Sequence, residues 1–188
     1  MADQALSTRP DDANFLFAKA WVLAIKKQPE AAILEAEAAI KSDPNYAAAY
    51  GSLGSWKALT GRAEQGFTDV ETAIRLSPHD PRMWLWEFDI CALHNQLAQW
   101  DQAIAPCQQA IAANPKLWQA RLNLASAYGS LGREAEAKAE AAEALKQVPG
   151  FTVKRAISYW SNFSDNPVFL QQLARASEGL RKAGLPEE

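Results

Sequence analysis

Proline residues recur along the chain at an almost constant interval. Five of them are spaced 34, 34, 37 and 34 residues apart: Pro10, Pro44, Pro78, Pro115 and Pro149. An alanine stands five residues before each of these prolines, and the residue after that alanine is always leucine or isoleucine. An in-phase period of this length is typical of stacked repeats, in which each repeat buries its apolar face against the next.

Each repeat is predicted to contain two helices. Segments such as "AAIKSDP" and "EALKQVP" are typical of a helix end closed by a proline, which cannot continue the helix. Upstream, "WQARLNLASAYGSLG" and "YGSLGSWKALTG" indicate a first helix that ends in a glycine turn. A second small residue stands seven residues before the repeat alanine, two turns away on the same face. These residues are Ala32, Gly66, Ala103 and Ala137, and they predict close helix packing.

The pattern resembles the tetratricopeptide repeat (TPR) family, which has this period. The residues that carry the resemblance are Tyr50, Leu53, Gly54, Gly61, Gly66, Ala73 and Pro78, and again Leu124, Ala125, Tyr128, Gly132, Ala137, Ala144 and Pro149. The resemblance implies an all-α fold, a right-handed α-solenoid of helix-turn-helix repeats with a C-terminal capping helix pair. Four full repeats are expected at 13–46, 47–80, 81–117 and 118–151.

The third repeat is three residues longer, and the extra residues are expected around "LHNQLAQ". Residues 1–12, with Ala5, Leu6 and Pro10, match the tail of a truncated preceding repeat. This favours a chain cut from a longer protein, and a short natural N-terminal helix is the alternative.

Residues 152–188 are predicted to form the two capping helices. Asn166 is a good N-cap and Pro167 a good first residue for the last helix. The sequence "GLRKAGLPE" is similar to the closing segment of bacterial class III adenylate/guanylate cyclases and related regulators that carry a C-terminal TPR array. That resemblance implies a larger bacterial signalling protein with an N-terminal output domain.

First helices line the concave side of a TPR array, so the resemblance implies a binding groove there. Its candidate residues are Phe17, Trp21, Ile25, Ser55, Leu59, Leu85, Asp89, Gln119, Leu122 and Ser126. Trp21 and Trp86 are also candidates for exposed anchors that bind a partner helix or a second subunit.

Composition excludes several other functions. The net charge of −3 argues against a nucleic-acid partner, and no apolar run reaches the roughly 18 residues that membrane insertion needs. His79 and His94 have no neighbours at metal-ligand spacing. No catalytic constellation and no cofactor motif is present, so we expect neither an enzyme nor a cofactor in this chain. With only two cysteines, Cys91 and Cys107, we expect free thiols and a cytoplasmic location.

The sequence therefore predicts a non-catalytic scaffold that binds a protein or peptide, as the regulatory TPR region of a signalling protein such as a nucleotide cyclase. A self-association module, forming a homo-oligomer, and a stand-alone TPR adaptor are the alternatives.

Overall fold

The chain is helical throughout its described part. The computed structural model describes residues 11–188, and this part contains 10 helices and no β-strand. The helices are α1 (Ala13–Ile25), α2 (Pro29–Ser42), α3 (Ala47–Leu59), α4 (Ala63–Leu76), α5 (Met83–Gln96), α6 (Trp100–Ala113), α7 (Trp118–Ser130), α8 (Glu134–Gln147), α9 (Val153–Ser161) and α10 (Pro167–Lys182). The predicted all-α fold class is confirmed. The predicted tail of a preceding repeat, residues 1–12, lies almost entirely outside the described residues.

The chain divides into two compact units: unit 1 ends at Pro78, and unit 2 spans His79–Glu188. In unit 1, α1 packs on α2, α2 on α3 and α3 on α4. Small residues set the approach of α3 and α4, because a Cβ on Gly54 would lie 2.5 Å from Val70 Cγ2 and 2.7 Å from the Gly66 carbonyl oxygen. The repeat alanines and their partners are buried as the sequence predicts, including Ala32 and Ala73.

Unit 2 contains α5–α10, and all six helices contribute to its main apolar cluster. Ala103 on α6 and Ala137 on α8 are both fully buried in this cluster. Their methyl groups leave room for the paired helices α5 and α7, which contact α6 and α8 respectively. The role that the sequence assigns to the small residues is therefore found in both units.

A disulfide joins Cys91 on α5 to Cys107 on α6. Their Cα atoms are 5.0 Å apart, within the range that disulfides require, and both residues are fully buried. The prediction of free thiols is therefore wrong. Both cysteines occupy buried positions on facing sides of a helix pair, so the packing that buries them also brings their sulfur atoms together.

Three residues connect the two helices of each repeat, and the middle one has a positive φ. These turn residues are Lys27 (60°), Gly61 (78°), Ala98 (58°) and Gly132 (75°). Each stands 17 residues before a repeat proline. Because this interval also holds in the third repeat, its three extra residues must lie before Ala98.

The connection that precedes α5 contains two of these extra residues. It runs over 77–82, whereas the corresponding connections run only over 43–46 and 114–117. The third extra residue lies in α5, which has 14 residues where α3 has 13. The prediction that the insertion falls around "LHNQLAQ" is wrong, because alanine replaces the glycine that marks this turn in neighbouring repeats and the turn gives no signal.

The last two helices and the residues after them form one hairpin, which we call the terminal pair (residues 152–188). Asn166 caps α10 as predicted, its Oδ1 accepting hydrogen bonds from the backbone N–H groups of Val168 and Phe169. The chain end returns to α9, where the Val153 N–H donates to the Pro186 carbonyl oxygen at 2.8 Å and the Lys154 N–H donates to that of Glu187 at 3.2 Å. The terminal pair is thereby closed on itself.

Candidate functional site

The turn residues give a register in which the first helices can be compared. Six residues before them stand Trp21, Ser55, Ala92 and Ser126, and ten residues before them stand Phe17, Gly51, Phe88 and Leu122. Five of these are candidate groove residues. We call the helix surface that these residues share the first-helix face.

In unit 1 the first-helix face is open and aromatic. Trp21 packs edge-on against Trp56, with ring centroids 5.5 Å apart, and Phe17 packs on Tyr46 at 5.0 Å. Trp21 nevertheless keeps 44% of its surface exposed, and Ile25, one turn further on, keeps 76%. These two side chains form an apolar stripe on α1 that α2 and α3 leave uncovered.

The remaining unit 1 candidates lie on α3. Ser55 is half-buried, and its Oγ donates a hydrogen bond to the Gly51 carbonyl oxygen at 3.3 Å. Leu59 is half-buried against the cluster that contains Trp56. Since Trp56 also contacts both aromatic rings of α1, the structure places the first-helix faces of α1 and α3 side by side in unit 1.

In unit 2 the candidates are much less accessible. Leu85 and Asp89 on α5 and Gln119 on α7 are half-buried, whereas Leu122 and Ser126 are buried. A ligand can reach Ser126 only if the helix that covers it moves. Trp86, proposed from the sequence as an exposed anchor, is also buried, so that interpretation is wrong.

The helix that covers the unit 2 face is α10. The Ser126 Oγ donates a hydrogen bond of 2.6 Å to the Ala176 carbonyl oxygen. One turn along, α7 and α10 cross at Gly129 and Gly179, where a Cβ on either would lie within about 2.2 Å of a carbonyl oxygen on the other helix. The crossing therefore depends on two glycines, which bring the backbones into direct contact.

Aromatic rings continue this cover toward the beginning of α5 and α7. Trp160 of α9 stacks on Phe88 with ring centroids 6.4 Å apart, and Tyr159 contacts Trp118 at 5.4 Å. Phe163 extends the cluster and is 41% exposed. The repeat pattern does not predict this cluster, although the aromatic residues of "ISYWSNF" are a signal that could have indicated it.

A small cavity of about 60 Å³ remains under the terminal pair. Ala92, Asn95 and Gln96 of α5 line one side, and Phe169 and Leu173 of α10 line the other. Asn95 is only 2% exposed, and its Nδ2 donates to the Cys91 carbonyl oxygen at 3.1 Å. Within residues 11–188, however, neither the Asn95 Oδ1 nor the Gln96 Oε1 has a hydrogen-bond partner. The terminal pair thus leaves two buried acceptors unsatisfied.

Few charges lie on these faces. Burial raises the pKa of the Glu87 carboxyl on α5 above its ordinary value. In the terminal pair, the hydrogen bond from Arg181 lowers the pKa of the Glu187 carboxyl.

In the described part of the chain, no three His, Cys, Asp or Glu side chains are grouped as metal ligands would be. None of the helices within residues 11–188 has the length and apolarity that crossing a membrane requires.

Comparison with known proteins identifies the repeat. Family models of the tetratricopeptide repeat match residues 1–47 and 119–147. No curated protein matches the chain.

Solved structures with the same fold include YrrB, described as a TPR protein with an unusual peptide-binding site. YrrB is 20% identical with a TM-score of 0.65, and the match covers 93% of this chain and 89% of YrrB. PilW, a type IV pilus biogenesis factor, is 16% identical with a TM-score of 0.74, covering 91% of this chain and 79% of PilW. The MamA protein is 18% identical with a TM-score of 0.65 and 92% coverage of both chains. Repeats of this type are generally non-catalytic, and the matches support a TPR-type protein-interaction scaffold.

Proposed function

We propose that the chain is a non-catalytic scaffold that binds a protein or peptide partner along the first-helix face of unit 1. The observation that carries this proposal is the exposed apolar stripe formed by Trp21 and Ile25. Exposed tryptophan beside aliphatic residues is typical of interface anchors, since aromatic residues dominate binding energy when a partner desolvates them. The corresponding face of unit 2 is already covered, so unit 1 supplies the accessible surface.

The wider context that we propose is a regulatory region of a larger bacterial signalling protein, such as an adenylate or guanylate cyclase. The sequence of residues 150–187 supports this context, because it is similar to the closing segment of those proteins. In that arrangement, a partner bound to unit 1 would change the output of an attached catalytic domain. A full-length cyclase carrying this region should lose that response when Trp21 and Ile25 are replaced by serine.

Self-association is the second candidate function, and the same stripe favours it. An uncovered apolar helix face can be buried by a second copy as well as by a different protein. Sedimentation equilibrium distinguishes the two candidates: a single species of 20.6 kDa at all concentrations argues against self-association. A dimer abolished by Ile25→Ser would favour it over a stand-alone adaptor.

The cellular location that we propose depends on the disulfide. Bonds of this kind form and persist in oxidising compartments, so Cys91–Cys107 favours such a compartment over the cytoplasm expected from the sequence. This location in turn favours the stand-alone adaptor over the cyclase context, because a cyclase consumes a nucleotide of the cytoplasm. Thiol alkylation of the protein denatured directly from cells provides the test, since both cysteines are buried in the folded chain. After denaturation both should resist alkylation until a reductant is added, and immediate labelling would instead support a cytoplasmic protein.

A photo-crosslinking amino acid placed at position 25 tests the scaffold proposal directly. Leu34 on α2 is the matched control position, because it is an aliphatic residue 66% exposed on another helix. We expect adducts from position 25 and none from position 34. The crosslinked partner, once purified, should bind the wild-type chain and the Leu34→Ser variant equally. It should bind Trp21→Ser/Ile25→Ser at least tenfold more weakly, and equal affinity for all three proteins would refute the assigned face.

A further inference from the structure

We propose that the first-helix face of unit 2 is a second binding site, for an amphipathic helix, and that the terminal pair closes this site within the chain. The proposal does not depend on the function of unit 1. Its basis is the common register of the repeats, because α9 and α10 cover the face that corresponds to the one on which Trp21 stands exposed in unit 1. Ala92 and Ser126 occupy the same register position as Trp21.

The contacts of α10 define the chemistry of the ligand. At the crossing only hydrogen fits in place of a side chain, since a Cβ at position 179 would lie 2.1 Å from the Ser126 carbonyl oxygen. Phe169 and Leu173 lie ten and six residues before Gly179 and line the cavity beside Asn95. The site therefore takes a helix with a glycine at the crossing and two large apolar residues at these spacings toward its N-terminus.

Unsatisfied groups indicate that α10 is an imperfect occupant. The Asn95 Oδ1 and the Gln96 Oε1 are buried acceptors without a partner among residues 11–188, and burying such groups opposes closure. A partner helix with an amide or guanidinium side chain that reaches the cavity would satisfy them. Such a helix would gain these hydrogen bonds in addition to the one that α10 already makes beside the cavity, from the Arg175 guanidinium to the Gln96 carbonyl oxygen.

The terminal pair is built to move as one body. Its chain end is hydrogen-bonded to the start of α9, and Lys154 forms an ion pair of 2.7 Å with Glu188. A connection of five residues, 148–152, joins it to α8, and within this connection Gly150 has a φ of 70°. Release of the terminal pair therefore breaks its contacts on α5, α7 and α8 and removes Val153, Ala156 and Leu180 from the apolar cluster, but it leaves the internal hydrogen bonds intact.

The variant Gly179→Ala tests the proposal in the full-length chain. Alanine favours the helix itself but clashes with α7, so it should release α10 from α7. Gln171→Ala, an exposed change on the same helix, is the control. The probe is a fluorescent peptide of residues 164–186, and its binding is measured by anisotropy. We expect Gly179→Ala to bind the peptide at least tenfold more tightly than the wild type and Gln171→Ala to match the wild type.

A second substitution locates the binding site. Adding Gly129→Ala to the Gly179→Ala variant should remove peptide binding, because the new methyl group lies where the backbone of the peptide must cross. If α10 is released in Gly179→Ala, as hydrogen exchange would show, but the peptide does not bind, then the face is not a helix-binding site.

Hydrogen exchange of the wild type keeps the proposal testable if Gly179→Ala fails to fold. Amide groups of α10 should exchange at least tenfold faster than those of α7, because α10 loses its packing when it leaves α7, and a helix of 16 residues without packing is only marginally stable. It can therefore unfold and exchange while α5–α8 stay folded. Equal exchange rates, with the same dependence on denaturant, would mean that α10 is a permanent part of the core, and the proposal would be overturned.

Discussion

Reduction of the disulfide between Cys91 and Cys107 should destabilise unit 2 and leave unit 1 unchanged. The two cysteines are separated by 16 positions in the sequence. Closing a loop of that length removes entropy from the unfolded chain that corresponds to about 3 kcal/mol at room temperature. Because the residues that the loop encloses belong to α5, α6 and the turn between them, the loss should be confined to the unit that contains these helices.

Urea denaturation, with and without a reductant, measures this loss. Peptides from α1–α4 and from α5–α8 can be followed separately by hydrogen-exchange mass spectrometry. With a urea m-value of about 1–3 kcal/mol/M, the midpoint of unit 2 should fall by about 1–3 M on reduction. The double variant Cys91→Ala/Cys107→Ala is the control, since a reductant should not change its midpoint.

Two results would refute this reasoning. If reduction left the midpoint of unit 2 unchanged, the cross-link would not constrain the unfolded chain as calculated. If the midpoint of unit 1 fell by as much as that of unit 2, the reductant would be acting on the whole chain and not through the loop between the cysteines.

Five further substitutions test other parts of the structure. Ala98→Gly should stabilise unit 2 by about 1 kcal/mol in thermal denaturation, because an alanine with positive φ is strained, and Gly132→Ala should have the opposite effect. Ala137→Trp should cost at least about 1–3 kcal/mol through overpacking of a fully buried site, and an unchanged midpoint in urea would contradict the helix packing. Asn166→Ala should cost about 1 kcal/mol by removing the cap of α10, which local hydrogen exchange can detect. Glu87→Gln should raise the melting temperature at pH 7, because a raised pKa means that burial penalises the charged carboxylate, and the gain should vanish as the pH falls through the pKa of the folded state.

The repeat could be predicted from the sequence because its signals are local and recur. Prolines that end helices and small residues two turns apart need no knowledge of distant parts of the chain. The insertion in the third repeat was misplaced because Ala98 adopts a conformation that glycine adopts in the neighbouring repeats. Where the expected residue type is missing, the pattern cannot show on which side of the turn the extra residues lie.

The covered face of unit 2 depends on contacts that periodicity cannot reveal. Gly129 stands in the segment "GSLG", where the repeat pattern accounts for a glycine without any contact to another helix. Gly179 lies 50 positions further along the chain. Only the structure shows that the two glycines meet. The same holds for Cys91 and Cys107, each of which matches a small packing residue until the distance between their helices is known.

The hydrogen bonds between the chain end and α9 have a practical consequence for anyone who purifies the protein. Residues 186 and 187 are held by the backbone of Val153 and Lys154, so an affinity tag or fluorescent fusion after Glu188 would begin beside an ordered structure. Such an attachment calls for a flexible spacer. Trimming by a carboxypeptidase past Pro186 would remove both hydrogen bonds and loosen the hairpin at the end that also carries its glycine crossing.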